Sequence, residues 1–486
     1  MSPFRLTSVS NPQSSNRSYS SAPPDGLIAT ENGNSVTNHG YDTMGRLTTV
    51  TYPDSSTTAY AYDANGNRTS LTDSTGTTTW VYDSVNRMTS ESKAANTITN
   101  AYDANSNLIS QTNPNGTTVT EGYNSADWLT SVINKNSSAT VLSSFTYGYN
   151  TDGLRSSVTE ADGSQVSYGY DSLHRLTSEV RTGTNPYNLS YGYDPAGNRL
   201  NQVRDGVGTS YTYDDANRLL TAGSTTNTWD ANGNLLSKTT GGVTTNFAYN
   251  FDDQLTSITG PTNVSFAYDG LTRRVSRTTG GVTTSFFHDV VRITTEKQGA
   301  TLTAHYTYGR DLLSRDDGTN YAYYLVDGLG SARQLTDASQ AVVSAYVSEG
   351  FGSIVAQTGA APNSYKFAAT SAYRDDGDAG LLHVGLRYYD PSVGRFTTAD
   401  PLLGDGINPQ SLNRYLYVTN NPVNLVDPTG TQGTALRVIG VVLIALGDVA
   451  IVFSIITVNP LAAVIGVGLI VVGVILYSLG NNFPNL

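Results

Sequence analysis

Three Asp-Pro pairs fall within 38 residues of one another, at Asp390, Asp400 and Asp427. Two carboxyl groups held close together resist double ionisation, so one keeps its proton; the ionised partner can then activate water while the protonated one polarises a carbonyl. That is the chemistry of peptide hydrolysis by paired acids. The same dipeptide has a plainer use, because Asp caps a turn and Pro presets its φ. Residue types leave both readings open, and spacing along the chain does not show whether any two of these acids meet.

Other catalytic schemes find no support. The five histidines, His39, His174, His288, His305 and His383, are scattered without a zinc-ligand spacing and read as strand or turn residues. The string DANGN, at 63–67 and again at 230–234, resembles a calcium loop, but its Gly is misplaced and the distal Glu is absent. No metal and no cofactor is expected, nor is a phosphate-binding Gly loop or a nucleophile elbow present.

The elements that must position the acids are legible in a repeat. Tyr-Asp or Tyr-Asn pairs start at Tyr41, Tyr62, Tyr82, Tyr102, Tyr123, Tyr149, Tyr170, Tyr193, Tyr213, Tyr249 and Tyr268, with Trp229-Asp230 filling one gap. The steps are mostly 19 to 23 residues, the signature of a repeat architecture. Within a unit, TTTWVYD alternates β-branched and aromatic residues as a strand does. DANGN or DPAGN closes a turn, Asp binding backbone N–H groups and Gly supplying positive φ. RLTS or NLIS then opens the return strand. One hairpin is marginal in water, so successive hairpins must pair side by side and share an apolar layer of Tyr and Leu. Strand twist then curls the sheet into a spiral or shell. Tyr at strand period is read first as core, with sugar stacking by exposed rings the lesser alternative.

Composition agrees. With 486 residues, only 14% charged, and 32 Tyr against 12 Phe, the chain suits a long array whose rings keep a hydroxyl near a partner. A net charge of −12 argues against a nucleic-acid partner. Zero cysteines exclude disulfides and thiolate chemistry. Residues 1–35 read as a flexible lead-in without a signal-peptide core, and the abrupt start of the array is compatible with a piece of a longer protein.

After Gly430 the character changes. Residues 438–458 and 461–479 are apolar runs long enough to cross a bilayer core as helices, broken by Asn459-Pro460. Asp448 lies in the middle of the first run, where an ionised carboxylate would cost about 3 kcal/mol, so it is expected to be protonated, paired or facing water. Gly440, Gly447, Gly466, Gly468 and Gly473 give the runs small faces for close helix approach. The tail reads as a membrane-inserting payload, an anchor, or a plug held inside the shell.

The repeats, with the stretch GLRYYDPSVGRFTTADPLLGDGINPQSLNRYLYVTNNPVNLVDPTG at 385–430, resemble the RHS or YD-repeat proteins of bacteria, related to Tc toxin C components and to the teneurin shell. The likeness covers about residues 40 to 430. It implies a β-shell around a cargo, an RHS-associated core that seals it, and a variable C-terminal payload. In many members the core is an aspartyl self-protease cutting just after Asp-Pro-x-Gly. On that pattern Asp400 and Asp427 match the catalytic pair and Arg387 a family arginine, whose charge can orient a carboxylate or stabilise an oxyanion. Asp390 is left structural, and cutting is expected within Gly430, Thr431 and Gln432. Two departures stand out: Thr431 replaces the usual Leu or Met, and no Gly follows Phe367.

The expected fold is therefore mainly β: a lead-in (1–35), a spiral of YD hairpins forming a full or partial shell (36–370), an RHS core (371–431), and a variable segment with a C-terminal α-helical hydrophobic hairpin (432–486). The expected function is that of a polymorphic-toxin-like protein, secreted or associated with a bacterial surface or membrane, whose shell encapsulates the tail and whose acids free it. Expected partners are a membrane, other shell or toxin-complex components, an immunity protein or cell-surface carbohydrate. The alternative is a non-enzymatic adhesion protein anchored by the same tail.

Overall fold

The computed structural model describes residues 18–22, 26–31, 35–52, 54–94, 96–309, 311–404, 409–431, 436–437, 441–446 and 449–454. From Ser18–Ala22 to Ile354–Gly359 they form one 34-stranded sheet in which consecutive strands pair antiparallel. Short 3₁₀ turns are the only helical elements among the described residues.

The Tyr-Asp signature has a local and a neighbour-to-neighbour cause. At Asp63 the carboxylate accepts the N–H groups of Asn65 and Asn67 (2.9 and 2.8 Å), while Gly66, at φ +88°, turns the chain back. One residue before each turn the ladder slips, as at Ala61/Tyr62 and Val81/Tyr82, so a bulge re-aims the Tyr. Its hydroxyl then donates to a main-chain carbonyl of the preceding unit: Tyr62 to Leu47 (2.8 Å), Tyr82 to Arg68 (2.9 Å), Tyr193 to Leu176 (2.7 Å), Tyr268 to Leu255 (2.9 Å). Trp229, the exception in the sequence, keeps the bond, its Nε1 donating to Leu219 at 2.8 Å. Where the residue four after Asp is Arg, it reaches the next turn, as Arg87 Nη1 does to the Asp103 carbonyl (2.8 Å), with its guanidinium over the Tyr102 ring. Tyr193→Phe is accordingly expected to lower stability by about 1 kcal/mol, read as a lower urea midpoint, through loss of one lashing bond.

The sheet returns to itself. Tyr52 donates to the His288 carbonyl, Arg68 pairs with Asp289, Asn115 with Asp337, Glu160 with Arg333 and Arg204 with Glu349. Early and late strands therefore lie against each other, as the coils of a spiral do. At one such seam Glu179 accepts from the Gly350 N–H (2.8 Å) and the Tyr187 hydroxyl (2.6 Å), yet burial outweighs these donors and pushes its carboxyl up to about 7. The folded state thus holds a proton that the unfolded chain releases near pH 4.5, so stability falls as pH rises from there through about 7. Glu91, pushed up to about 8 by burial, extends the same trend. Urea midpoints should drop across that window by an amount worth on the order of 3 kcal/mol for Glu179 alone, and Glu179→Gln should flatten part of the slope.

Residues beyond the sheet pack onto strands near its middle. Tyr389, Phe396 and Tyr417 join Leu176, Leu189 and Tyr191 in one buried cluster. Polar bonds stitch the segment down: Arg274 to Asp376, Arg277 to Asp378, Lys238 to Asp390 (2.7 Å), the Asn420 side chain to the Gly197 carbonyl (2.8 Å). Buried guanidiniums are acceptable here because each meets a carboxylate or an aromatic face, as Arg274 does over Phe266 and Phe286.

At two places the described residues form strands that the sequence did not announce. The lead-in over 1–35 contains the strands Ser18–Ala22 and Gly26–Glu31, which extend the sheet. A neighbouring ladder offers backbone pairing that asks little of side-chain type. Within the apolar run over 438–458 the described residues Val441–Leu446 and Val449–Ser454 pair as antiparallel strands, and the expected helical hairpin is not seen among the described residues. Runs of Val and Ile carry no period that separates helix from strand, and β-branched residues favour the strand. The second run, 461–479, and Asp448 lie outside the described residues. No helix among the described residues is long and apolar enough to cross a membrane.

Candidate functional site

The acids and the arginine singled out above are brought together by three short pieces of chain. Arg387 starts the strand Arg387–Asp390, paired through a tight turn to Leu382–Val384. Asp400 is held by main-chain bonds to Arg414, its N–H donating to the Arg414 carbonyl (3.0 Å) and its own carbonyl accepting from the Arg414 guanidinium. Asp427 opens the final turn, where the Gly430 N–H returns to its carbonyl (3.3 Å) and its own N–H donates to the Tyr373 hydroxyl (2.6 Å).

That last turn is wedged against the Val384–Arg387 turn. Gly430 sits at φ +67°, and a Cβ there would lie 2.2 Å from the Val384 carbonyl oxygen. A Cβ on Gly385, at φ +53°, would meet the Thr429 backbone at 2.1 Å. Two glycines therefore let two backbones touch, and the Leu386 N–H bonds the Thr429 carbonyl at 3.0 Å.

Arg387 is the hub. One of its nitrogens, Nη2, lies 2.7 Å from Asp400 Oδ2 and 3.7 Å from Asp427 Oδ2. The three side chains are 2%, 0% and 3% exposed, so these charges meet in a dry pocket where each interaction is strengthened. Its Nη1 donates to the Arg414 carbonyl (2.9 Å), its Nε to the carbonyl of Gly430, and its plane covers the Phe396 ring at 3.6 Å. Burial pushes the guanidinium down to about 10 although both carboxylates pull the other way, so it is still charged at neutral pH. Asp427 Oδ1 accepts the N–H of Thr431 at 3.0 Å.

The Gly430–Thr431 peptide is thus gripped at both ends, its oxygen by a cation and its N–H by a carboxylate that shares that cation with a second acid. A guanidinium on a carbonyl oxygen draws electrons from the carbonyl carbon, and paired acids beside it can move protons. Thr431 is buried, its hydroxyl 2.8 Å from that of Thr429; Gln432 lies outside the described residues. Asp390 stands apart from this group: it closes its own turn through Ser392 and pairs with Lys238. The sequence reading missed Tyr373, Phe396 and Arg414, which hold the group in place. Only the Phe396 and Arg414 neighbourhoods lay within a quoted motif, and nothing in their types announced the role. Among the described residues no group of His, Asp or Glu is arranged to hold a metal.

A family model described as the teneurin YD-shell matches residues 26–185 and 154–423. Among curated proteins, the tRNA3(Ser)-specific nuclease WapA of Bacillus spizizenii is 26% identical over 245 residues, 48% of this chain and 9% of that protein. The double-stranded DNA deaminase toxin A of Burkholderia cenocepacia is 27% identical over 254 residues, 51% of this chain and 17% of the toxin. The chain therefore spans less than a fifth of the length of these relatives. Among solved structures, the TcdB2-TccC3-Cdc42 complex superposes with a TM-score of 0.68 at 18% identity, covering 86% of this chain and 24% of that one, which speaks to fold alone. A family model that matches from residue 26 to residue 423, over a sheet built of Tyr-Asp hairpins, shows that the chain belongs to the teneurin YD-shell family of YD-repeat proteins.

Proposed function

We propose that the coiled sheet is the shell of a polymorphic-toxin-like protein which encloses a C-terminal payload and cuts its own chain beside the Asp-Pro-Thr-Gly turn. The observation that carries the reading is the grip of Arg387 on the Gly430 carbonyl, with Asp400 and Asp427 at the same guanidinium. In this reading one acid holds a proton and the other activates water, while Arg387 stabilises the oxyanion that forms on the attacked carbonyl. The bond cut lies within Gly430–Gln432, and the part released begins near Gln432 and includes the apolar tail, which acts on membranes. Relatives named as toxins, and the fold shared with a Tc toxin assembly, support a secreted or surface-associated protein that works with other toxin-complex components.

Full-length protein, purified and run on a denaturing gel, is expected to separate into a large shell fragment and a small C-terminal one whose N-terminal sequence starts within that turn. A chain that stays whole after prolonged incubation would favour the other reading, an uncut adhesion protein held to a surface by its tail.

A further inference from the structure

A cavity of about 690 Å³ opens at a different seam of the spiral, within the size range of small-molecule sites. Thr75, Glu91 and Lys93 line it from an early coil, and His305, Asp316 and Tyr321 from a late one. Lys93 Nζ lies 2.7 Å from His305 Nε2 and 2.5 Å from Thr75 Oγ1. On the far side of the imidazole, His305 Nδ1 is 2.9 Å from Asp316 Oδ2. A carboxylate at Nδ1 fixes the proton there and leaves Nε2 as the acceptor, so the amine donates to it. A neutral amine that spends its two N–H bonds on Thr75 and His305 keeps its lone pair for the cavity.

Nucleophile, base and orienting acid are therefore in sequence, in a chamber with room for a reactant. Glu91 lies two residues before Lys93 on the same strand face, is 1% exposed, and has no hydrogen bond of ordinary geometry at either oxygen. Burial holds its carboxyl protonated at neutral pH against a Trp80 ring N–H that favours the anion and the pull of Arg68, Arg292 and Lys93. Burial likewise pushes the Lys93 ammonium down, although Asp73, Asp316 and Glu91 oppose it. None of these residues belongs to the Arg387 group.

We propose that this cavity is a carbonyl-condensing site for a small aldehyde or ketone, with Lys93 as nucleophile, His305 oriented by Asp316 as base, and Glu91 as general acid. The Lys93 lone pair attacks the carbonyl carbon, and the carbonyl π pair moves to oxygen, which takes the Glu91 proton. His305 Nε2 takes a proton from the nitrogen to give a neutral carbinolamine. That proton then passes to the carbinolamine hydroxyl, the C–O bond breaks, and water leaves as the nitrogen lone pair forms the C=N bond. The product iminium is left facing the Glu91 carboxylate, so charge and protons balance without an oxidant or reductant.

The chain has five lysines, Lys93, Lys135, Lys238, Lys297 and Lys366, which makes the test internal. Folded full-length protein is treated with glyceraldehyde and sodium cyanoborohydride at pH 7.5, and the labelling rate of each lysine is read by peptide mass spectrometry. Lys93 is expected to label at least about tenfold faster than the other four, a gain a positioned acid and base readily supply. His305→Gln and Glu91→Gln should each bring Lys93 back towards the others, with circular dichroism confirming the fold. Labelling of wild-type Lys93 no faster than the rest overturns the proposal and makes the Lys93–His305–Asp316 chain a strut between coils. This comparison needs no variant to fold.

Discussion

Asp400→Asn and Asp427→Asn are each expected to leave the chain whole on a denaturing gel under conditions in which the wild type releases its C-terminal part, a rate loss of at least about 100-fold. Amides keep the shape of the carboxyl groups and can still accept hydrogen bonds. At position 427 the replacement's carbonyl oxygen remains available to the Thr431 N–H, which now bonds Asp427 Oδ1 at 3.0 Å, so the turn should persist. What the amides cannot do is hold the shared proton or activate water. Cleavage should therefore fail while the urea midpoint moves little in comparison. Cleavage surviving in either variant at wild-type rate would remove that acid from the chemistry; a collapse of stability without loss of cutting would make it a strut.

Arg387→Met is expected to have the largest effect on stability, a loss of about 3–5 kcal/mol, because it strands two buried carboxylates and two carbonyls. Asp400 and Asp427 would face each other without the guanidinium that lies 2.7 and 3.7 Å from them, and the carbonyls of Gly430 and Arg414 would each lose a donor. The sign of the pH dependence follows. A buried carboxylate left without its partner costs more than a neutral carboxyl, so the deficit shrinks as pH falls. Urea melts of wild type and variant at pH 4.5 and 7.5 measure it; a deficit independent of pH would mean that lost packing on Phe396, not stranded charge, is the cause. Arg387→Lys should not restore stability, since one ammonium cannot span the four acceptors a planar guanidinium reaches.

The repeat was open to reading because every rule in it is local. Asp63 closes its turn with residues two and four ahead, Gly66 supplies the positive φ, and strand alternation needs only neighbours. Even the choice of Tyr over Phe becomes intelligible once the hydroxyl of Tyr62 is seen on the Leu47 carbonyl, one hairpin back. The tail shows the limit of such reading: an apolar run of Val and Ile satisfies the length rule for a spanning helix, yet its described residues pair as strands, because hydropathy carries no information about backbone geometry.

By itself the sequence determined a sheet of Tyr-Asp hairpins and offered three acids in Asp-Pro turns, of which a family resemblance pointed to two. Tertiary structure decided which of them meet: Arg387 gathers Asp400 and Asp427 and leaves Asp390 with Lys238. It also decided that Lys93 should meet His305 across 212 positions of chain, a contact between coils of the spiral. The physical reason is one of range. Turns and strands are chosen by forces acting over a few residues, whereas the curl of the sheet is the sum of many small twists, and only that sum places distant charges in one pocket.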